Sequence, residues 1–164
     1  MKAIILIITV LISSTTIANN PITERGMILM LIDNDKISCF INSIWSDAKR
    51  IEQEYGVPMS LTIAQACLES GYGSSTLAKN NCNFFGLRRN HKWMNYDSKH
   101  ECFSHYGRTL TQSCYKNLQP FTLSEWYAAL ECCGYAESKT YTKKLNQIIF
   151  MLNLDLLSYE GKLF

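Results

Sequence analysis

The sequence predicts a mainly α (α+β) protein, a single helical domain with a small β-hairpin lobe. Three observations predict it. Apolar residues recur at three- and four-residue steps through most of the 164 residues, the period of helices with one buried face. Helix start and stop residues punctuate these runs. Only residues 81–97 lack the helical period, and no pattern of a parallel sheet is present.

Taken in order, residues 1–18 read as a targeting segment. Met1-Lys2 is a short positive start, Ala3 to Ile12 is uncharged and apolar, and Thr16 and Ala18 stand at −3 and −1 of a cleavage site before Asn19. Ten apolar residues are about half of what a bilayer-spanning helix needs. Residues 19–34 form a lead-in, whose apolar stretch Met27 to Ile32 is expected to pack on the domain. The domain itself is placed at 35–164. From Asp35 to Tyr55, Ile37, Phe40, Ile41, Ile44, Trp45, Ala48 and Ile51 define one apolar helix face. Gly56 stops that helix and Pro58 opens the next, where its missing N–H costs little. This second helix carries Leu61, Ile63, Ala64, Cys67 and Leu68 and ends at Gly71-Tyr72-Gly73. Being apolar on most sides, it is expected to be the central buried helix.

Ser74 and Ser75 can cap a short helix reaching Lys79 or Asn80. Trp93, Met94 and Tyr96 give a weak strand signal. Ser98 with Glu101 forms a capping box for a helix to about Tyr115. Thr122 with Glu125 forms another, with Phe121 and Trp126 as its hydrophobic staple, and Gly134 ends that helix. The last helix places Tyr141, Leu145, Ile148 and Leu152 on one face.

Composition narrows the function less than the patterns do. A hydrophobic share of 47% with 18% charged residues is that of a globular protein. The formal charge of +2, or +1 once Lys2 leaves with residues 1–18, is too small to argue for nucleic acid. Seven cysteines (Cys39, Cys67, Cys82, Cys102, Cys114, Cys132 and Cys133) leave at least one thiol unpaired within a monomer. Their spacing does not form two CxxC pairs, so no metal site is expected, and no cofactor either.

Glu69 is the candidate proton donor. It stands in the last turn of an otherwise apolar helix, where the helix dipole disfavours a carboxylate by about 0.3–1 kcal/mol. Desolvation against apolar neighbours adds to that, by several pKa units for a fully buried group. A carboxyl kept protonated near neutral pH can protonate a departing glycosidic oxygen. An arbitrary glutamate at a helix end is solvated, so spacing alone does not single it out.

The surrounding string does. Residues 55–88 contain Tyr55-Gly56-Val57-Pro58, Ala64-Gln65-Ala66 with Glu69-Ser70, Gly71-Tyr72-Gly73 with Ser75, Leu77-Ala78, and Asn83 with Phe85-Gly86. This order of YGVP, AQA-x-x-ES, G-x-G-x-S, LA and N-x-FG resembles the bacterial glucosaminidase family of peptidoglycan hydrolases, which includes autolysins and wall-digesting domains of flagellar assembly proteins. The likeness extends through Tyr96-Asp97-Ser98 with Glu101, and through Gly134-Tyr135-Ala136 with Tyr141, covering roughly residues 37–154.

The resemblance implies a lysozyme-like fold whose helical body and small β-lobe enclose a sugar groove. It implies that Glu69 is the catalytic acid and Tyr141 a tyrosine near the reacting sugar. Tyr72, Phe84, Phe85, Trp93 and Tyr135 become candidates for sugar stacking, with hydrophobic core as the competing reading for Phe84 and Phe85; Asn83 joins the substrate-binding set. Many members carry a second acid in a longer hairpin lobe, but Leu87 to Tyr96 contains no Asp or Glu. Asp97 and Glu101 are the nearest. Glu101 is carried as a catalytic candidate, although the capping box with Ser98 also explains it. Glu137-Ser138-Lys139 likewise departs from the residues usual after GYA.

The implied activity is an endo-β-N-acetylglucosaminidase acting on the glycan strand of peptidoglycan, outside the cytoplasm, in the periplasm or at the cell surface. A muramidase or lytic transglycosylase of the same fold is the alternative, and a catalytically silent glycan-binding module another. A monomer is expected, with action at an envelope-spanning machine suggested by its size. Three routes stay open: water activated by Asp97 or Glu101 with inversion, attack by the substrate's own 2-acetamido group with retention, or no partner acid and little turnover.

Overall fold

The structure is a computed structural model that describes residues 24–112, 114–118, 120, 122–135, 138 and 140–158. The targeting segment and the staple residue Phe121 lie outside the described residues. Eight helices occur among them: α1 (Glu24–Leu31), α2 (Asp35–Tyr55), α3 (Met59–Ser70), α4 (Thr76–Asn81), α5 (Lys99–Thr111), α6 (Cys114–Leu118), α7 (Leu123–Cys132) and α8 (Tyr141–Met151). A two-stranded hairpin, β1 (Arg88–Arg89) and β2 (Lys92–Trp93), stands between α4 and α5, and a 3₁₀ turn (Leu154–Ser158) follows α8.

Helix α3 is the axle. Met59 to Cys67 are all buried, and α2, α8 and the 3₁₀ turn pack around it. Its two neighbours present the stripes expected of them, Phe40, Ile41, Ile44, Trp45, Ala48 and Ile51 from α2, with Ile37 only partly buried, and Tyr141, Leu145, Ile148 and Leu152 along α8, joined by Ile149. The start of α3 shows a device the sequence hid. Pro58 is the N-cap residue and supplies no side-chain cap. Instead Glu52, a turn before the end of α2, accepts the Met59 N–H at 2.9 Å. The carboxylate thereby satisfies an otherwise orphaned donor at the positive end of a buried helix.

Most caps fall where expected. Ser75 accepts from the Ala78 N–H and Thr122 with Glu125 forms a reciprocal box, while Asn34, not among the expected caps, accepts from the N–H groups of Lys36 and Ile37. The expected single helix from residue 98 to about 115 is instead two. Gln112 adopts extended backbone after α5, and α6 restarts at Cys114. Cys114 is joined to Cys133 at the end of α7, and Tyr115 turns into the core, so a covalent tie and a buried ring fix α6 in its own direction. The other five cysteines are free thiols.

The lead-in forms α1, which contributes Ile28 to the core and packs on α2 and the 3₁₀ turn. In the hairpin Arg88 pairs with Trp93 and Arg89 with Lys92. Asn90 and His91 make the two-residue turn with φ of 50° and 62°, the doubly left-handed form that matches strand twist.

Candidate active site

Glu69 lies at the C-terminal end of α3, half-buried. The chain turns away immediately after it through three consecutive left-handed residues, Gly71, Tyr72 and Gly73. Ser70 staples this turn: its hydroxyl donates to the Ala66 carbonyl at 2.5 Å and accepts the Gly73 N–H at 2.7 Å. The sharp departure leaves the Glu69 side chain facing the loop that precedes the hairpin. There Gly86, at φ 62°, comes so close that a Cβ on it would stand 3.6 Å from Glu69 Oε2 and 3.7 Å from the Trp93 ring. Trp93 and the carboxyl of Glu69 therefore border one small space, floored by a residue without a side chain.

Burial is the main influence on Glu69 and raises its pKa above the ordinary carboxyl value; a hydrogen bond from Tyr141 pulls the other way and loses. The result is an acid biased toward keeping its proton. Tyr141, 7% exposed, opens α8 and reaches across to α3. Its hydroxyl accepts from Gln65 Nε2 at 3.0 Å, while Gln65 Oε1 accepts from the Tyr106 hydroxyl at 2.6 Å. A buried hydrogen-bond chain thus runs from Tyr106 of α5 through Gln65 of α3 to Tyr141 of α8, the phenol whose hydroxyl acts on Glu69.

Tyr135 sits beside Tyr141, ring centroids 5.7 Å apart. Its ring is partly open, yet its hydroxyl is enclosed and has no hydrogen-bond partner among the described residues. Tyr72 is half-buried in the left-handed turn that follows Glu69. Trp93 is 50% exposed and is covered on one face by the Arg88 guanidinium at 3.4 Å from the ring centroid. An exposed aromatic ring with a cation stacked behind it is a ready platform for the apolar face of a sugar.

Three expected site residues play other parts. Asn83 is 1% exposed: its amide donates to the carbonyls of Leu87 and Met94 at 2.9 and 3.0 Å and accepts the Leu87 N–H at 3.0 Å. With its amide turned inward it clamps the base of the hairpin instead of binding sugar. Phe85 is 2% exposed, stacked on Tyr106 at 3.9 Å and edge-on to Phe103. It is core, as is Phe84. Glu101, the second catalytic candidate, is engaged at the start of α5. Its carboxylate accepts the Asp97 N–H at 2.9 Å while Ser98 caps the Glu101 N–H at 3.2 Å. It lines a cavity of about 290 Å³ with Arg89, Tyr96, His105 and Arg108.

Gln65 and Tyr106 were not read as site residues. One signal was available: Gln65 is a polar residue one helical turn before Glu69, on the same face of a helix otherwise apolar there.

Comparison with known proteins agrees with this geometry. The family described as mannosyl-glycoprotein endo-beta-N-acetylglucosaminidase matches residues 45–154. The exo-glucosaminidase LytG of Bacillus subtilis is 28% identical over 150 residues, 74% of this chain and 53% of LytG, so the chain spans about half the length of that relative. The catalytic domain of the autolysin Auto from Listeria monocytogenes superposes with a TM-score of 0.63 at 26% identity, covering 79% of this chain and 90% of that one. The glycoside hydrolase domain of FlgJ from Salmonella typhimurium gives 0.61 at 26% identity, covering 76% and 92%.

Proposed function

Because this chain belongs to the glucosaminidase family, we propose that it is an exported peptidoglycan hydrolase, an endo-β-N-acetylglucosaminidase with Glu69 as its general acid. The observation that carries the reading is the environment of that one carboxyl. It is half-buried, raised in pKa by burial, hydrogen-bonded to Tyr141, and faces an open aromatic platform across a glycine. Trp93, Tyr72 and Tyr135 are the side chains we assign to the glycan. The LytG, Auto and FlgJ likenesses support the substrate class, and the apolar run in residues 1–18 supports export.

With Glu101 tied to a helix start, substrate assistance is the route we favour. The 2-acetamido oxygen bonds to the anomeric carbon as the glycosidic C–O bond breaks, and the leaving oxygen takes the Glu69 proton. Water then opens the cyclic intermediate at the anomeric carbon and returns a proton to Glu69. Two displacements at one carbon give net retention. The expected products of purified peptidoglycan carry N-acetylglucosamine at the new reducing end by mass spectrometry, and proton NMR shows the β-anomer first. A reducing-end muramic acid or an anhydro product would assign the neighbouring bond instead. An α-anomer first would require a water-activating base on the far face of the ring.

Trp93→Ala is expected to raise KM for glycan fragments about tenfold, since an aromatic platform contributes on the order of 1 kcal/mol. Because the ring supplies a binding platform and no proton, kcat should fall less than KM rises. Steady-state kinetics on soluble oligosaccharides checks the split, and an unchanged KM would remove Trp93 from the glycan path.

A further inference from the structure

Gln65 is fully buried in the middle of the helix that carries Glu69. A buried amide is costly unless bonded, and this one is bonded at both ends, accepting from Tyr106 and donating to Tyr141. Tyr106 is itself fully buried and has no access to a ligand. A phenol has one proton, so the chain has a definite sense. While Tyr106 donates to Gln65 Oε1, the amide nitrogen faces Tyr141, and the Tyr141 oxygen accepts it. The single Tyr141 proton is left for Glu69.

We propose that Tyr106 and Gln65 are positioning residues that, through Tyr141, decide which oxygen of Glu69 carries the acid proton. With Tyr141 donating to one carboxyl oxygen, the acid proton is held on the other, free to meet a leaving oxygen in the groove. The opposite sense would bury the acid proton between Glu69 and Tyr141, where no substrate reaches it. The inference rests on Glu69 being the acid, and it adds what keeps that acid correctly loaded.

Among the titratable groups that act on one another around it, Glu69 is the carboxyl, and burial raises it above the ordinary carboxyl value. Tyr106 from α5, Tyr115 from α6, Tyr135 from the segment before α8 and Tyr141 from α8 are all phenols pushed upward by burial, Tyr115 to about 12. Tyr72 in the turn after α3 is raised as well. On the hairpin side the charge is Arg88, stacked on Trp93.

Tyr106→Phe tests the relay, because it removes one hydroxyl and nothing else. Either sense of the Gln65 amide then leaves one of its atoms unpaired, so the sense is no longer set. Carbon-13 titration of the Glu69 carboxyl, assigned by its loss in Glu69→Gln, should show its midpoint rising by about one pH unit as the charged form loses a steady donor. The alkaline limb of peptidoglycan digestion should move with it, with kcat down about tenfold and KM unchanged. Gln65→Met, which keeps bulk and removes the amide, is expected to shift Glu69 in the same direction. Phe103→Leu, a loss of packing alone beside the same rings, should lower the melting temperature and leave both profiles in place. A folded Tyr106→Phe whose Glu69 titrates as in the wild type overturns the relay. That titration is read on the protein alone, so it decides the relay separately from digestion; a wild type that cuts no peptidoglycan would sink the glycosidase reading instead.

Discussion

Glu69→Gln is expected to reduce peptidoglycan hydrolysis by about 10²–10⁴-fold while leaving the fold intact, the loss that follows when a general acid is removed. Gln has nearly the same shape and its amide oxygen can still accept from Tyr141, so packing around the site is kept. What disappears is the proton. The wild type should lose activity as pH rises through the Glu69 pKa, which burial sets above the ordinary carboxyl value. Residual activity in the variant should lack that limb.

The same shift has a sign in stability. The folded state binds the Glu69 proton more tightly than the unfolded chain does. Its stabilising contribution is therefore fully present below the unfolded pKa, about 4.3, and is lost as pH rises through the raised folded value. Gln does not titrate. Glu69→Gln should match the wild type in acid and melt at a higher temperature at neutral pH and above, the signature of a group kept for function at the expense of stability. Thermal melts across pH measure it. A variant less stable than wild type at neutral pH would mean that the carboxylate is well solvated, and would remove the ground for treating it as a held acid.

How much of this could be read from sequence depended on whether the physics was local. Caps were legible because a Ser or Thr acts on an N–H group three residues away, as Ser75 and Thr122 do. The central place of α3 was legible because a helix apolar on most sides has nowhere else to go. Glu69 owed its selection to the string around it, since its burial depends on Gly86 and Tyr141, residues 17 and 72 positions away.

The misreadings share one cause. Asn83 and Phe85 belong to the same N-x-FG string that pointed to the site, yet one faces backbone carbonyls and the other faces Tyr106 and Phe103. A motif marks where the chain must hold a shape; it does not separate the residues that hold it from those that touch substrate. Glu52 on the α3 terminus and Tyr106 on Gln65 were illegible for a simpler reason: in each, one member of the pair looks ordinary until the other is seen beside it.

Gly73→Ala is expected to destabilise the domain by about 2–5 kcal/mol, a large part of the roughly 5–15 kcal/mol that holds a domain of this kind together. Two costs combine. At φ 74° an L side chain is strained by about 1–2 kcal/mol. Its Cβ would also stand 2.5 and 2.6 Å from two carbons of the Phe40 ring, an overlap that forces the ring or the turn to move. Overpacking of this sort typically costs about 1–3 kcal/mol. Phe40 has little room to yield, because it is 9% exposed and its ring packs against Phe84. Gly56→Ala provides the contrast: φ is 69°, but no atom lies within 4 Å of the added carbon, so only the strain should appear. Urea unfolding of the two variants separates contact from conformation, and equal losses would show that Phe40 moves aside freely. The larger loss should also reach the chemistry. The Gly73 N–H is bonded to the Ser70 hydroxyl, so a turn pushed off Phe40 pulls on the end of α3 one residue after Glu69. Gly73→Ala is therefore expected to lower kcat even at temperatures where it remains folded, while Gly56→Ala, at the C-terminus of α2, should not.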